Sequence, residues 1–364
     1  MKILFVITSL RTGGAERVVA TLAKELAGRD NEVDLLLFDG TETPLLKRLE
    51  GSEVNIIAAG KGAFQMWNPL HVFKLRRVMK KGKYDIVHTH NSPAQILTAI
   101  AARNLNLTLV TTEHNTTTKR RKSPLLKWID PVFYRPYRHI VCVSDLTRKN
   151  LIDSVGINPY KVTVIPNGID LSRFSPDRII PVSEGLPPVN PGDKIILMTG
   201  AFRKQKDQPT LIRAMEYLPE NYHLWLAGGW KLKRAAEKLS KKLGLEKRVT
   251  FLGERNDVAN LMQKADINVL ATHYEGMPLA AIEAMASGKP FVASDVPGVA
   301  DIARGAACLV PPRNPRVLAE AIRRTMESEI ISREISDNCR LRASKHDIKK
   351  VVDSHISLYK SLYK

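Results

Sequence analysis

The chain of 364 residues has few cysteines and no long apolar run, and each shortage excludes a class of protein. Its three cysteines, Cys142, Cys308 and Cys339, lie far apart and form no Cys-x-x-Cys motif, so neither a disulfide framework nor a zinc site is expected. No apolar run approaches the ~20 residues needed to cross a bilayer. The opening run, Ile3–Ile7, is too short for the core of a signal peptide. We therefore expect a soluble cytoplasmic protein.

Acidic residues are scarce relative to basic ones, which gives a net charge of +19. The segment 61–83 contains seven lysines and arginines and no acid, and apolar residues such as Phe64, Trp67 and Phe73 are interleaved with them. This mixture is typical of a helix that lies on an anionic membrane, although a solvated helix with one core face gives the same pattern. Nucleic acid is a further alternative, but no zinc finger or RNA-recognition signature is present. A second basic block comprises Lys119, Arg120, Arg121, Lys122, Lys127, Arg135 and Arg138.

Short apolar runs alternate with helical patterns along most of the chain. Because the runs do not alternate with polar residues, they predict strands buried on both faces, in parallel sheets covered by helices. The predicted strands are Lys2–Thr8, Glu32–Leu37, Val54–Ala58, Asp85–Thr89, Leu107–Thr112, His139–Val143, Lys161–Ile165, Lys194–Thr199, His223–Ala227, Val249–Leu252, Ile267–Ala271 and Pro290–Ala293. The predicted helices are Ala15–Ala27, Pro69–Lys81, Pro93–Asn104, Asp145–Ser154 with Ser144 as its cap, Gln208–Tyr217, Lys231–Leu243 and Pro315–Glu327.

Five prolines interrupt this rhythm between residues 175 and 192, which indicates a linker between two domains. A chain of this length exceeds the size at which a single core keeps growing. Two doubly wound α/β domains are therefore predicted, with ligands in a cleft at the carboxyl ends of their strands.

Two glutamates, Glu275 and Glu283, lie eight residues apart and bracket a Gly-Met-Pro break after the apolar strand Ile267–Ala271. Proline is favoured at a first helical position, so the next N–H groups, those of Leu279 and Ala280, are expected to point outward and to bind an anion such as pyrophosphate. Carboxylates repel phosphate, so both glutamates are expected to accept hydrogen bonds from neutral hydroxyls. A nucleotide-sugar offers this combination, because it carries ribose hydroxyls, two phosphates and sugar hydroxyls.

Other strand ends in the first half carry two further candidate motifs. Thr12-Gly13-Gly14 follows the first strand, and adjacent glycines allow close approach of backbone N–H groups to a pyrophosphate. The pair is not a Gly-x-Gly-x-x-Gly motif, which disfavours a dinucleotide-dependent dehydrogenase. His114 follows the fifth strand among hydroxyl side chains and an acid, although a lone histidine at a strand end is often structural.

The second half of the chain has three such motifs. After Gly200, the loop contains Arg203 and Lys206, which suit phosphate because a guanidinium can bind it in a bidentate manner. Gly228 lies in another close-approach turn. Gly253 and Arg255 lie where backbone groups could meet the edge of a base.

Together these motifs resemble the retaining glycosyltransferases of family 4, which have the GT-B fold. The family's usual arginine directly after the strand-ending glycine is replaced here by Ala201, so Lys206 keeps the expected spacing and Arg203 lies two positions late. The closing segment 344–363 resembles the family's final helix, which crosses back onto the first domain. The matching motifs, in the family's order, are Gly13–Glu16, His114, Val143-Ser144, Ile165–Asp170, Arg203 with Lys206, Phe251–Gly253, and Glu275 with Glu283.

The resemblance implies two Rossmann-like domains that face a central cleft. Residues 1–174 would bind the acceptor, 175–192 would link the domains, 193–345 would bind the nucleotide-sugar, and 346–364 would form the crossover helix. It implies four catalytic residues: His114, Arg203, Lys206 and Glu275. The implied nucleotide-sugar-binding residues are Gly13, Gly14, Gly200, Gly228, Gly253, Arg255, Gly276, Met277, Pro278, Leu279 and Glu283.

Within that family, Glu283 would bind the ribose hydroxyls and Glu275 the hydroxyls of the donor sugar. Arg203 and Lys206 would neutralise the nucleoside diphosphate as it leaves, so neither a metal nor another cofactor is expected. The sequence contains no Asp-x-Asp pair. Retention is expected to come from front-face attack, with the departing phosphate oxygen taking the acceptor's proton.

The expected donor is a nucleotide-sugar carrying a hexose or N-acetylhexosamine, with UDP preferred and GDP-mannose as the alternative. From the basic first domain we expect a polyprenyl-diphosphate-linked saccharide as acceptor, at the inner face of the cytoplasmic membrane, in O-antigen, lipopolysaccharide or capsule synthesis. Two rival functions are a nucleotide-sugar 2-epimerase of the same fold and a basic nucleic-acid-binding protein without enzymatic activity.

Overall fold

The computed structural model describes residues 1–11, 13–116, 121, 123, 128–177 and 185–363. The chain divides into two compact units, each with its own parallel sheet. Unit 1 comprises residues 1–168 and 348–364, and unit 2 comprises residues 169–347. The predicted linker falls partly on residues 178–184, which lie outside the described residues.

Unit 1 contains a seven-stranded sheet in the order β3-β2-β1-β4-β5-β6-β7, and all neighbouring strands are parallel. Strands β4 and β6 are buried along their length, and β1 is buried except at Lys2, as predicted from their unbroken apolar character. The strands are β1 (Lys2–Ser9), β2 (Glu32–Asp39), β3 (Val54–Gly60), β4 (Ile86–His90), β5 (Thr108–Glu113), β6 (His139–Cys142) and β7 (Val162–Val164).

The helices of unit 1 cover this sheet. Ser144 caps α6 by accepting a hydrogen bond from the N–H of Thr147 at 3.2 Å, as predicted. The described helices of unit 1 are α1 (Gly14–Ala27), α2 (Pro44–Lys47), α3 (His71–Gly82), α4 (Ser92–Ala101), α5 (Asp130–Tyr134), α6 (Asp145–Val155) and the C-terminal helix (Ile348–Leu362).

The C-terminal helix belongs to unit 1, although unit 2 precedes it in the chain. Its residues Val352 and Tyr359 are fully buried in one apolar cluster with Ile3 and Phe5 of β1 and Leu22 of α1. The prediction that the chain's closing segment crosses back to the first domain is therefore confirmed.

Unit 2 contains a six-stranded parallel sheet in the order β10-β9-β8-β11-β12-β13. Its strands are β8 (Lys194–Thr199), β9 (Tyr222–Ala227), β10 (Val249–Gly253), β11 (Ile267–Leu270), β12 (Phe291–Ser294) and β13 (Cys308–Val310). Its helices are α7 (Gln208–Ala214), α8 (Lys233–Lys242), α9 (Val258–Lys264), α10 (Leu279–Ala286), α11 (Ala300–Ala303), α12 (Pro315–Glu327) and α13 (Glu329–Ala343).

Both sheets are doubly wound, which confirms the predicted fold class. In each, the strand order reverses at one point: between β1 and β4 in unit 1, and between β8 and β11 in unit 2. Ligands of open parallel sheets bind outside the carboxyl ends of the strands at such a reversal. The loops that follow these four strands are therefore the expected ligand-binding positions.

Some elements of unit 2 are absent from the prediction. β13 has three residues and α11 has four, so neither leaves a readable period in the sequence. Among the described residues, no helix is both long and apolar enough to traverse a bilayer.

Candidate functional site

The loops after β8 and β11 are joined to each other at the point where the sheet of unit 2 reverses. Lys206 and Thr272 form an antiparallel β-bridge, and the N–H of His273 donates to the carbonyl of Gln205 at 2.9 Å. The N–H of Asp207 donates to the carbonyl of Ala271 at 3.0 Å. Two loops far apart in sequence are therefore fixed against each other by backbone hydrogen bonds.

Glu275 is the centre of this arrangement. Its Oε1 accepts from Lys206 Nζ at 2.5 Å and from Thr272 Oγ1 at 2.9 Å, and its Oε2 accepts from Gln205 Nε2 at 2.7 Å. Gln205 also donates to the carbonyl of Tyr274 at 2.9 Å. Because the Glu275 side chain is 7% exposed and that of Lys206 14% exposed, water screens this ion pair little.

The family resemblance implies that Lys206 binds the diphosphate and Glu275 the donor sugar, and the structure brings these two residues into direct contact. The Glu275 carboxylate neutralises the ammonium group of Lys206, and the ammonium group in turn holds the carboxylate at the end of β11. An anionic ligand that approached Lys206 would compete with Glu275 for the same charge. The pair therefore forms one charge-balanced unit.

Helix α10 begins at Leu279, directly after this cluster. Pro278 precedes the helix in an extended conformation, with φ −76° and ψ 119°, so the prediction that proline occupies the first helical position is wrong by one residue. Because its ψ is extended, Pro278 serves as the cap, and its carbonyl accepts from the N–H of Ala281 at 3.1 Å. The first N–H groups of the helix, which include those of Leu279 and Ala280, have no acceptor within the helix.

Glu283 lies one turn into α10 and is 1% exposed. The stretch before the helix is also close-packed, with Met277 8% exposed. Gly298 accounts for part of this packing: it has φ +81°, and a Cβ there would lie 2.4 Å from the carbonyl oxygen of Glu275 and 2.8 Å from that of Gly276. The backbone at 275–276 therefore depends on a glycine more than twenty residues later.

The predicted glycines Gly200 and Gly228 are in contact. The N–H of Gly228 donates to the carbonyl of Gly253 at 2.7 Å, and a Cβ on Gly228 would lie 2.1 Å from the carbonyl oxygen of Gly200. Three predicted glycines thus meet at the carboxyl ends of β8, β9 and β10. No side chain fits at Gly228, so the requirement for glycine there is steric.

The two predicted arginines of unit 2 already have partners. The guanidinium of Arg203 lies over the ring of Trp230, 4.3 Å from its centroid, a cation–π contact. Arg255 makes a bidentate pair with Asp257, with Nε–Oδ1 at 2.8 Å and Nη2–Oδ2 at 2.7 Å. The hydrogen bond with Asp257 raises the pKa of Arg255. The carbonyl of Arg203 accepts from the N–H of Lys206 at 3.0 Å. Within the described residues neither guanidinium group contacts Lys206 or Glu275, so the predicted roles of the two arginines stay predictions.

Unit 1 holds the remaining predicted residues. Gly13 precedes α1 in an extended conformation, and a Cβ there would collide with the side chain of Glu16 at 2.0 Å. Gly14 is the first residue of α1, and a Cβ there would meet open space. Thr12, named with them as part of the motif, lies outside the described residues.

His114 follows β5 and contacts a second histidine that the sequence analysis did not identify. Its Nε2 lies 3.0 Å from Nδ1 of His90, the last residue of β4. Burial lowers the pKa of His114 to about 4 and lowers the pKa of His90 well below its usual value. Both imidazoles are therefore neutral at pH 7. His114 was predicted because it follows the carboxyl end of a strand. His90 lies at the carboxyl end of β4, so it could have been predicted on the same ground.

A third histidine, His88 of β4, connects this region to the C-terminal helix. Nδ1 of His88 lies 2.6 Å from the hydroxyl of Tyr359, and its Nε2 lies 2.7 Å from Oγ1 of Thr112. The His88 and His90 rings are 4.3 Å apart at their centroids. Within the described part of the chain, no three His, Cys, Asp or Glu side chains are arranged to hold a metal ion.

The second basic block contains one arginine that is not on the surface. Arg121 is 4% exposed and donates to Glu113 at 3.1 Å and to Asp130 at 3.2 Å. Burial alone would lower the pKa of Arg121, but the neighbouring carboxylates raise it overall. Tertiary packing thus places this arginine between two buried acids. Lys119, Arg120, Lys122 and Lys127 lie outside the described residues.

Further residues of the candidate site were not predicted. Gln205 and Thr272 bind Glu275, and Ser294 Oγ accepts from the N–H of Thr272 at 3.0 Å. Thr272 and Ser294 both lie at the carboxyl ends of strands, so their position in the sequence could have predicted them. The contact of Gln205 with Glu275 spans 70 residues and has no local sequence signal.

The chain has two units that each resemble a Rossmann domain, and comparison with known families identifies the class as glycosyltransferase. The model of Glycosyltransferase Family 4 matches residues 12–173, and the model of Glycosyl transferases group 1 matches residues 186–342. Between them they leave only 1–11, 174–185 and 343–364 unmatched. The chain belongs to glycosyltransferase family 4 and has the GT-B fold.

Individual proteins show the same similarity. The chain is 30% identical over 239 residues to the UDP-Gal:alpha-D-GlcNAc-diphosphoundecaprenol alpha-1,3-galactosyltransferase of Escherichia coli, and this match spans 62% of each protein. Its structure resembles Anabaena HepE in complex with UDP and glucose, with a TM-score of 0.85, 22% identity, and coverage of 99% of this chain and 100% of that one. It also resembles the sucrose-phosphate synthase of Thermosynechococcus elongatus, with a TM-score of 0.83, 22% identity, and coverage of 100% and 99%.

Proposed function

We propose that this glycosyltransferase transfers a hexose or N-acetylhexosamine from a nucleotide-sugar to a lipid-linked saccharide, with retention of anomeric configuration. The observation that carries the proposal is the cluster of Lys206, Glu275 and the N-terminus of α10, which lies where the sheet of unit 2 reverses. In this proposal the start of α10 binds the diphosphate, Glu283 binds the ribose hydroxyls, and Glu275 binds the donor sugar.

The chemistry of transfer explains why a lysine and a carboxylate would be paired here. Cleavage of the bond between the anomeric carbon and the phosphate oxygen leaves a nucleoside diphosphate with an additional negative charge. Lys206 and the backbone N–H groups at Leu279 and Ala280 would stabilise that charge, and the loss of one such fixed donor costs roughly 10²–10³ in rate. Glu275 would hold the ammonium group of Lys206 in place and accept hydrogen bonds from the sugar.

Retention would follow from attack on the face from which the diphosphate departs. The acceptor hydroxyl bonds to the anomeric carbon, the bond to the phosphate oxygen breaks, and that oxygen takes the hydroxyl proton. A covalent route would need a carboxylate as nucleophile, and Glu275 is the candidate. Its three hydrogen-bond donors instead hold it as a binding group. A covalent route would instead predict a trapped glycosyl-enzyme on Glu275.

The test of the site compares two substitutions with a matched control. Glu283→Gln removes the charge that would bind the ribose hydroxyls and should weaken nucleotide binding at least tenfold, since hydrogen bonds to charged groups contribute about 1.5–3 kcal/mol. Lys206→Ala should chiefly lower kcat. Glu320→Gln, on the exposed face of α12, serves as the control. Wild-type rates in both site variants with a proven donor would refute the assignment.

We propose a UDP-sugar as donor, with GDP-mannose as the alternative. HepE has been crystallised with UDP and glucose, and the E. coli relative is named for UDP-Gal. A ligand that binds only the folded state raises the melting temperature, so a thermal-shift series with UDP-, GDP- and ADP-sugars identifies the base. A shift with GDP-mannose alone would overturn the UDP preference.

We propose a polyprenyl-diphosphate-linked saccharide as acceptor, since the E. coli relative is named for GlcNAc-diphosphoundecaprenol. The surface that would dock on the cytoplasmic membrane is the basic apolar face of unit 1, defined as the exposed residues of segment 61–83. Four of its apolar side chains project into solvent: Phe64 is 98% exposed, Phe73 73%, Leu70 65% and Trp67 63%. The buried side of α3 is formed by Leu75 and Met79.

The basic apolar face is tested by flotation with anionic liposomes at low and high salt. Lys80→Gln with Lys81→Gln removes two exposed charges, and about 1 kcal/mol per lysine predicts a roughly thirtyfold weaker partition. Lys241→Gln with Lys242→Gln is the matched control, because it removes two exposed lysines from the last turn of α8. Salt-independent flotation, or equal losses in both variants, would remove the membrane proposal.

The family assignment favours a glycosyltransferase over both rival functions. An epimerase would change the sugar of the donor without an acceptor, so analysis of the product formed in the absence of acceptor separates it from a transferase. A nucleic-acid-binding protein would bind nucleic acid tightly and salt-sensitively, and Glu283→Gln would leave any sugar-nucleotide binding unchanged.

A further inference from the structure

The contact between His90 and His114 raises a question of chemistry, because two neutral imidazoles meet through one hydrogen bond. One of the two facing nitrogens must carry the hydrogen, and the other must accept it. The position of that hydrogen decides whether the far nitrogen of His114, its Nδ1, is a donor or an acceptor. His114 is partly exposed, and among the described residues none makes a hydrogen bond with its Nδ1.

The environment of His90 distinguishes the two arrangements. His90 is 1% exposed, and its Nε2 is buried with no hydrogen-bond partner among the described residues. Its ring packs against the rings of Phe5, with centroids 5.5 Å apart, and His88, with centroids 4.3 Å apart. The His88 ring is itself fixed between Tyr359 and Thr112. Rotation of the His90 ring towards a different partner is therefore opposed by packing.

If His114 donated to His90, the hydrogen of His90 would have to be on Nε2, where it would be a buried donor without an acceptor. If His90 donates from Nδ1, its Nε2 carries only an unpaired lone pair. In native proteins, buried N–H groups without any acceptor are rarer than buried acceptors that lack a donor. The second arrangement is favoured, and it places the hydrogen of His114 on Nδ1.

We propose that His90 is a positioning residue that fixes His114 in the tautomer with its hydrogen on Nδ1. His114 then presents an N–H donor, which binds an oxygen lone pair of the sugar or phosphate and does not accept a proton from the acceptor hydroxyl. This use of His114 rests on the proposed function. The tautomer itself does not, since it follows from contacts within unit 1 alone.

The tautomer is measured on the full chain by two-dimensional NMR of nitrogen-15-labelled histidine rings at pH 7.5, without any ligand. The His114 signals are assigned by their loss in His114→Asn. We expect the wild-type protein to show His114 protonated on Nδ1. Signals of the Nε2-protonated form would overturn the proposal whatever the protein's activity.

Two variants of His90 test its effect on His114. His90→Phe keeps a ring but removes the donor, so His114 should lose its fixed Nδ1–H form. His90→Asn retains an amide donor at the position of Nδ1 and should restore it. His139→Phe is the matched control: it replaces another buried histidine of the same sheet, one that pairs with Thr163 and not with His114. If His90→Phe fails to fold, the wild-type spectrum and His90→Asn still decide the question.

Kinetics with the proven donor then separate a positioning role from a merely structural one. An asparagine amide can replace a donor at Nδ1 and a glutamine amide a donor at Nε2, so His114→Asn should retain at least tenfold more kcat than His114→Gln. His90→Phe should lower kcat at least tenfold with little change in KM, and His90→Asn should recover most of it. Equal rates for His114→Asn and His114→Gln, with a confirmed Nδ1–H tautomer, would refute the donor role of His114 and leave the tautomer assignment standing.

Discussion

The ion pair between Lys206 and Glu275 should have a large effect on the stability of unit 2 when only one partner is removed. Its side chains are 14% and 7% exposed, so Glu275→Gln leaves an ammonium group with little water and no counter-charge. Removal of one partner of a buried pair costs about 3–5 kcal/mol. Lys206→Met should cost a similar amount, because it leaves the buried carboxylate with only Gln205 and Thr272 as donors.

Loss of both partners should cost much less than the sum of the two single losses. In Lys206→Met with Glu275→Gln no buried charge is left unpaired, and neutral replacement of a buried pair is often close to neutral in stability. We therefore expect a coupling free energy of at least about 2 kcal/mol between the two positions, within the range measured for directly contacting residues.

The unfolding of unit 2 can be followed by the fluorescence of Trp225, which is 2% exposed, whereas Trp67, Trp128 and Trp230 are all more than half exposed. Urea titrations of the wild type, the two single variants and the double variant give the cycle. The control cycle removes Lys233 and Glu237, a partly exposed pair one turn apart on α8 for which about 0.3–0.5 kcal/mol is expected. Additive losses at 206 and 275, or single losses below about 1 kcal/mol, would show that the pair is not the charge-balanced unit described above.

Three further predictions follow from other parts of the structure. Burial lowers the pKa of His355 to about 4, against about 6.5 in an unfolded chain. The contribution of neutral His355 to stability is therefore complete above pH 6.5 and falls by about 2 kcal/mol at pH 5. An acid titration of the unfolding free energy should show this loss, and a flat profile between pH 7 and 5 would contradict it. Gly298→Ala should abolish nucleotide-sugar binding through its clash at Glu275, whereas Gly305→Ala, with φ +75° and open space around its Cβ, should cost only about 1–2 kcal/mol of stability and leave binding intact. Tyr359→Phe should destabilise unit 1 by about 1–2 kcal/mol through loss of its bond to His88, and hydrogen exchange should then be faster in the C-terminal helix than in α12 of unit 2.

Much of the architecture could be predicted because it depends on local signals. The helix Pro315–Glu327 was predicted at both ends, since Asn314 caps it by accepting from the N–H of Val317 at 3.2 Å and a proline follows the cap. The strand Lys194–Thr199 was likewise predicted at both ends, because its apolar run is unbroken. Caps, prolines and apolar runs are all readable in a single sequence.

The contacts that decide the site could not be predicted, because they join residues far apart in the chain. The bond between Lys206 and Glu275 spans 69 residues, and the contact between His90 and His114 joins neighbouring strands. The surroundings of Arg121 also could not be predicted from neighbouring residues. Composition placed it in a basic block, and only the tertiary structure shows that two acids enclose it.

The return of the chain to unit 1 has a consequence for biosynthesis. Residues 169–347 form an uninterrupted stretch, so a nascent polypeptide has all of unit 2 available before residues 348–364 leave the ribosome. Unit 1 begins first but is completed last, since the ring of Tyr359 must reach His88 across 271 residues of chain. Until residues 348–364 have been synthesised, the groove that the helix Ile348–Leu362 fills exposes apolar side chains of β1 and α1. Unit 1 is thus the unit that most needs protection from aggregation during synthesis.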